Sequence, residues 1–300
     1  MKCLVYDVGG TFIKYAMIDQ QENILEHGRV PTPMEGIEVF LDTIYEIYQK
    51  FSEEVAGIAM SMPGILDAER GYMYTGGSLS YIRDVNMQDL IREKCKNLPV
   101  SIENDAKSAA LAEVTSGSLA DCNDAMVVIC GTGIGGGVIH EKRILRGSHF
   151  FAGEFSFINR GCQGENTDSA MWGKAGGVRR LYRIYADITG EALDRIDGEM
   201  LFGRANYGDR AAIEAIHRYC RVLAVQLLNL QCMIDPEKIA IGGGISVQPL
   251  FIRILREEVM DMHRTYPPGM PLPEIVSCRY FNDANMLGAY YAFRRKYGWE

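Results

Sequence analysis

No apolar run in this chain of 300 residues approaches the length a helix needs to cross a bilayer. After Met1-Lys2 the apolar stretch is short and stops at Asp7, too brief for a signal peptide, so a cytoplasmic protein is expected. The eight cysteines (Cys3, Cys95, Cys122, Cys130, Cys162, Cys220, Cys232 and Cys278) contain no CxC or CxxC pair. That spacing offers neither a disulfide framework nor a zinc clip, and most of them read as small buried hydrophobes. Positive charge is in deficit: the formal net charge is -8 and the pI near 5.3, which argues against a broad nucleic-acid-binding face. No Gly-Lys-Ser or Gly-Lys-Thr occurs, so there is no Walker A loop. The run Gly131-Thr132-Gly133-Ile134-Gly135-Gly136 has dinucleotide-fingerprint spacing, but a strand and not a helix is expected to follow it, which disfavours a nicotinamide enzyme. Low-complexity segments and long flexible linkers are absent too.

What is present is glycine in a repeated setting. The apolar run Cys3-Leu4-Val5-Tyr6 leads into Asp7-Val8-Gly9-Gly10-Thr11, then Phe12–Ile18, a polar turn and a further apolar pair. The same order recurs from Ala125–Cys130 through Gly131–Gly137 to His140 and beyond. Strand, glycine turn, strand, turn, strand is thus written twice. Such turns expose backbone N–H groups, expected here in positive-φ conformations, and a concave nest of N–H groups binds phosphate. A third glycine turn, Gly242-Gly243-Gly244, follows the apolar Ile239-Ala240-Ile241. Three turns point to one nucleotide held at several places. With 47% hydrophobic residues the length suits two domains.

Between these turns, helical spacing of Ile37, Phe40, Leu41, Ile44 and Ile47 predicts a helix over 36–51, and further helices are expected at 87–95, 169–188, 209–230, 249–265 and 284–296. The strand 55–61 opens into Met62-Pro63-Gly64, a loop at the carboxyl end of a strand, where α/β sheets bind ligands. Tyr74–Ser78 is a second glycine-containing loop. The strand 98–102 runs into Glu103-Asn104-Asp105-Ala106, and a helix begins there. One of Asn104 and Asp105 is expected to cap it; the two cannot share that position. Phosphoryl transfer requires a metal-borne charge balance and a proton acceptor. Asp7 is the candidate to hold Mg2+ through water, with a turn-capping role as its structural alternative. Asp105, ionised at neutral pH like any ordinary Asp, is the candidate general base. Lys14 faces either phosphate or solvent. Glu154, set among small and apolar neighbours, faces either a ligand or an exposed loop.

Taken together, Asp7-Val8-Gly9-Gly10-Thr11, Glu103-Asn104-Asp105-Ala106, Gly131–Gly137, Ala152-Gly153-Glu154 and Ile241–Ile245 resemble the ROK family (repressors, open reading frames and sugar kinases), in family order and across nearly the whole chain. The resemblance implies an α/β, actin/hexokinase-like (ribonuclease H-like) fold of two domains around a central cleft. Residues 1–112 with a returning helix in 284–300 would form the smaller domain, and 113–283 the larger. It implies that ATP contacts Gly9, Gly10, Thr11 and Lys14 on one side and Gly131, Thr132, Gly133, Gly135, Gly243 and Gly244 on the other. Asp105 would act as base toward a sugar hydroxyl, with Asn104, Glu154, Gly64 and Gly77 around the sugar. A homodimer is implied as well.

Typical members continue the Gly-Glu motif with a histidine and a cysteine cluster that bind structural zinc. Here Phe157 stands at the histidine position and Cys162 alone remains nearby, so zinc is expected to be absent. With Gly153-Glu154-Phe155 and Met73–Gly77, the pattern resembles the β-glucoside kinases, which phosphorylate the 6-hydroxyl of the non-reducing glucosyl unit of cellobiose and related glycosides. Glucose and N-acetylmannosamine are the alternative acceptors. A repressor would need a DNA-binding domain ahead of Asp7, where only six residues stand. A non-catalytic sugar-binding protein would have little use for Asp105 and three glycine turns.

Overall fold

The computed structural model describes residues 1–159 and 170–299. These fall into two compact units: unit 1 comprises Met1–Thr115, Arg146–Ala152 and Asp283 to the C-terminus, and unit 2 comprises Ser116–Leu145 and Gly153–Asn282. Among the described residues no helix is long and apolar enough to cross a membrane.

Unit 1 begins with three antiparallel strands, β1 (Lys2–Val8), β2 (Phe12–Asp19) and β3 (Ile24–Pro31), followed by α1 (Ile37–Gln49) and β4 (Val55–Met62). Three short strands, β5 (Leu66–Asp67), β6 (Tyr72–Thr75) and β7 (Arg83–Asn86), make a separate small antiparallel sheet. Then come α2 (Met87–Lys94), β8 (Val100–Asn104) and α3 (Asp105–Ser116). The main sheet has the order β3-β2-β1-β4-β8, with β1, β4 and β8 parallel. Strand alternation sends Leu4, Tyr6 and Val8 to one face, where they pack with Phe40, Leu41 and Ile44 of α1 in a single apolar cluster. Tyr6 stays in that cluster without an orphaned hydroxyl by donating to the Ile44 carbonyl at 3.0 Å.

In unit 2 the same plan returns: β9 (Ala125–Cys130), β10 (Ile134–His140) and β11 (Arg143–Ile144) are antiparallel. After α4 (Trp172–Ala175), α5 (Val178–Thr189), α6 (Gly198–Asn206) and α7 (Arg210–Ile234) come β12 (Lys238–Gly242), α8 (Pro249–His263) and β13 (Ile275–Ser277). The sheet order is β11-β10-β9-β12-β13. Its core joins Met126 and Val128 to Tyr219, Leu223 and Phe251. Helix α7 is capped by Asp209, whose side chain accepts from the Ala212 N–H at 3.0 Å.

The last helix, α9 (Ala284–Tyr297), belongs to unit 1 and packs on β1, β4 and β8. The single helix expected over 169–188 is two among the described residues, α4 and α5, separated by Gly176-Gly177. The amide of Val178, at the start of α5, bonds the Gly131 carbonyl at 2.9 Å, so the break ties α5 to the second glycine turn.

Candidate active site

Register places a polar row across the main sheet of unit 1. Lys14 lies opposite Asp7, Asp7 opposite Ser61, and Ser61 opposite Glu103, on four neighbouring strands. In-register side chains share a face, and this one is the face covered by α9. Asp7 is 7% exposed. Its Oδ1 accepts from Ser61 Oγ at 3.1 Å and from Asn285 Nδ2 at 3.0 Å, and Lys14 Nζ stands 3.6 Å from Oδ2. Lys14, expected to face either phosphate or solvent, pairs with the Asp7 carboxylate. A buried carboxylate keeps its charge only with donors around it. Here two neutral donors and one cation serve that end. Among the described residues no group of three or more His, Cys, Asp or Glu side chains gathers. One carboxylate, its Oδ2 shared with Lys14, offers too few protein oxygens for an all-protein metal cage and would fit only an ion that keeps most of its water, as Mg2+ does.

Glu103 is 1% exposed and is gripped bidentately by Arg146, at 2.9 and 2.6 Å. Its Oε1 also accepts the N–H of Asn104 at 2.9 Å. The strand end that presents Asn104 and Asp105 is therefore fixed from behind. Asn104 is the cap of α3: its Oδ1 accepts from the Lys107 N–H at 3.0 Å. Asp105 is the first residue of α3, where the partial positive charge of the helix end favours a carboxylate. Both side chains thus meet the start of α3, Asn104 at the Lys107 amide and Asp105 through Oδ1 at the Ala106 amide at 2.8 Å.

The two loops expected to line the sugar are in contact. Gly64 adopts φ +98°, and a Cβ there would stand 2.1 Å from the Thr75 carbonyl oxygen and 2.7 Å from the Gly77 amide nitrogen, so only glycine fits. Asn104 Nδ2 donates to the Gly64 carbonyl at 3.0 Å. A Cβ on Gly10 would lie 3.0 Å from Ser78 Oγ, which brings the first glycine turn against the same loop. Gly9 closes that turn by donating to the Phe12 carbonyl at 3.0 Å, and Thr32 Oγ1 donates to the Gly9 carbonyl at 2.7 Å, leaving Gly10 and Thr11 exposed. Asp7, Gly10, Gly64, Gly77, Asn104 and Asp105 thus belong to one neighbourhood of unit 1.

Unit 2 builds a different feature. A cavity of about 570 Å3 is bounded by Gly131 of the second glycine turn and Gly244 of the third, with Tyr182, Phe202 and Asn206 among its walls. Gly243 adopts φ +90°, and a Cβ there would lie 2.1 Å from the Cys130 carbonyl oxygen. This close approach brings the third turn against the end of β9. Gly9, Gly10, Gly131 and Gly133 are not in positive-φ conformations; of the residues expected to contact the nucleotide, Gly243 alone is. The expectation of positive-φ nests at the first two turns is therefore corrected. Gly135 is the second residue of β10, paired with Ile129.

The profile of the ROK family matches residues 3–296. The chain belongs to the ROK family. It is 30% identical over 295 residues to a β-glucoside kinase of Listeria monocytogenes, covering 98% of this chain and 97% of that protein. Among solved structures it resembles a ROK family protein of Streptococcus pneumoniae in complex with sucrose (TM-score 0.86, 32% identity, 99% of each chain). It also resembles a ROK glucokinase of Streptomyces griseus in complex with glucose and AMPPNP (TM-score 0.84, 25% identity, covering 98% and 100%). The fold is the actin/hexokinase-like one these ROK proteins share.

Other ROK motif residues are placed as follows. Glu154 is half-buried and precedes a single 3-10 turn, Phe155–Phe157. Phe157, at the family's histidine position, is 52% exposed. Cys162 lies outside the described residues. Sequence reasoning did not find Ser61, Asn285, Arg146 or the cavity wall from α6. Helix α6 carried one local sign, Asp197 three residues before Met200, whose N–H it caps at 2.8 Å. Ser61 and Asn285 carried none, since they meet Asp7 from 54 and 278 residues away.

Proposed function

We propose that this ROK protein is an ATP-dependent carbohydrate kinase that transfers the γ-phosphoryl group to the 6-hydroxyl of a glucosyl unit, with a β-glucoside such as cellobiose as acceptor. The observation that carries the reading is the placement of Asp105 at the start of α3, beside Asn104 and the paired Gly64 and Gly77 loops. Asn104 spends its Oδ1 on the helix cap and one N–H on Gly64, which leaves its second N–H for a sugar hydroxyl. Asp105 accepts the proton of the attacking hydroxyl as the new P–O bond forms and the β–γ bridge bond breaks, releasing ADP. Gly131, Thr132, Gly133 and Gly244 of unit 2 serve the nucleotide, whose base suits the aromatic walls of the unit 2 cavity. Asp7 would hold Mg2+ through water, and the ion supplies charge neutralisation for the phosphates when bound. Support for the acceptor class comes from the likeness to β-glucoside kinases over the whole chain.

The test is ADP release with Mg-ATP against glucose, N-acetylmannosamine and cellobiose, with a no-sugar control. Turnover on cellobiose well above glucose is the expected result. A preference for glucose would make the protein a glucokinase. No sugar-dependent turnover would replace the kinase reading with a sugar-binding one.

A further inference from the structure

The segment Arg146–Ala152 belongs to unit 1 although its chain neighbours belong to unit 2. It is pinned there at three points. Arg146 grips buried Glu103, Lys107 Nζ donates to the Phe150 carbonyl at 3.3 Å, and the Phe150 ring stacks on Tyr74, centroids 5.7 Å apart and planes 23° apart. Internal bonds close the segment, with the Ala152 amide on the Arg146 carbonyl at 3.1 Å. Phe150 takes φ +60°, a conformation side-chain-bearing residues rarely adopt. Burial does not compensate that strain: Phe150 and Tyr74 are both partly exposed, and neither joins the hydrophobic clusters of the described residues. Strain held in place by surrounding contacts marks functional positions.

We infer that the Tyr74–Phe150 stack is the platform for the second pyranose ring of a β-linked acceptor, setting the enzyme's preference among glycosides. This rests on the acceptor class proposed above. Both rings are tied within a few residues of the groups assigned to the first sugar ring. The Tyr74 amide bonds the Ile65 carbonyl at 2.9 Å, next to Gly64, and Lys107 lies two residues beyond Asp105. Tyr74 is already committed on two sides, stacking on Phe150 and meeting Tyr72 edge-on with centroids 5.1 Å apart. The outward face of Phe150 is then the surface the pair offers. A β-glucosyl ring carries its hydroxyls equatorially and presents axial C–H bonds above and below, an apolar face that lies well on the electron-rich face of an aromatic ring. An α linkage turns the second ring out of that plane.

The experiment compares kcat/KM for methyl β-glucoside, phenyl β-glucoside, cellobiose and maltose in the wild type, Phe150→Ala and Tyr74→Ala. In the wild type, cellobiose and phenyl β-glucoside should exceed methyl β-glucoside by roughly threefold to tenfold, the scale of one aromatic stacking contact. Both variants should bring that ratio toward one, Phe150→Ala more completely, and maltose should gain nothing from the aromatic pair. Equal kcat/KM for methyl and phenyl β-glucosides in the wild type overturns the platform without recourse to a variant. An unchanged ratio in folded variants overturns it as well, while leaving β-glucoside phosphorylation standing. Absence of turnover on every β-glucoside removes the acceptor class, and the platform with it.

Discussion

Near the carboxyl ends of the first strands, unit 1 sets Lys14, Asp7, Ser61 and Glu103 side by side, whereas unit 2 sets Gly135, Ile129 and Gly242 in the corresponding pairing. The two sheets share one strand order. One copy of the plan has filled its strand ends with charge held by hydrogen bonds. The other has emptied them of charge and, on both sides of Ile129, of side chains. A carboxylate at Ile129 would repel a polyphosphate approaching the second glycine turn, while bare backbone leaves N–H dipoles and room. The row in unit 1 suits the parts proposed for it, a hydrated ion at Asp7 and, through Glu103, a firm strand end behind Asn104 and Asp105. On the proposed function, one strand order would carry two chemistries, decided by a few residues per strand end.

The comparison is broken most forcefully at Asp105. Asp105→Asn should cut kcat by about a hundred- to ten-thousand-fold while changing the acceptor KM little. If the division between units holds, the affinity for ATP, followed with a fluorescent analogue, stays near the wild-type value. Wild-type-like turnover would remove Asp105 from the role of base. Loss of ATP affinity equal to the loss of turnover would erase the division itself.

A smaller effect is expected from the opposite side. Gly243→Ala puts a Cβ against the Cys130 carbonyl in a backbone conformation that alanine rarely takes. Strain and overpacking of this kind cost about 1–3 kcal/mol. The variant should show a lower denaturation midpoint and a KM for ATP raised about tenfold, a shift of similar energy, with the acceptor KM moving much less. A larger change in the acceptor KM than in that for ATP would place the third glycine turn on the wrong substrate.

Where sequence and structure agree, the signal was local. The two glycine turns, the strand before Asn104-Asp105 and helices α1, α7, α8 and α9 follow from periodicity, caps and composition within one window. What was missed depends on distance. Arg146 and Glu103 are separated by 43 positions, and nothing in the sequence around Arg146 marks residues 146–152 as part of unit 1. Strands β5, β6 and β7 span two to four residues each, too short for alternation to register, and exist because they pair with one another. Helix α6 carries Gly198 and Gly203, which lower its intrinsic propensity below recognition. The left-handed Phe150 was equally invisible, since phenylalanine has no preference for that conformation and three separate anchors impose it.

The smallest effect sharpens the comparison at the hairpins. Each unit braces a turn at its sheet edge with an aspartate. Asp19 accepts from Asn23 Nδ2 at 3.0 Å and from the amides of Gln21 and Asn23, each at 2.9 Å. Asp124 accepts from the Glu141 amide at 3.1 Å and pairs with His140 Nδ1 at 2.7 Å, supporting the left-handed Glu141 and Lys142. The Asn23 side chain first, and the backbone amides after it, hold the Asp19 carboxyl below the usual range; the Glu141 amide first, then His140, do so for Asp124. Folded values below the unfolded ones mean that the stabilisation is present above the ordinary carboxylate pKa and is lost as pH falls through the folded value. Denaturation midpoints taken at pH 7 and again below pH 4 should therefore separate Asp19→Asn and Asp124→Asn from the wild type at neutral pH and converge in acid. Both carboxylates are at the surface, so raised salt should narrow the neutral-pH difference. A difference that persists unchanged in acid would assign the turns' stability to shape alone and leave the aspartates without an electrostatic part in either unit.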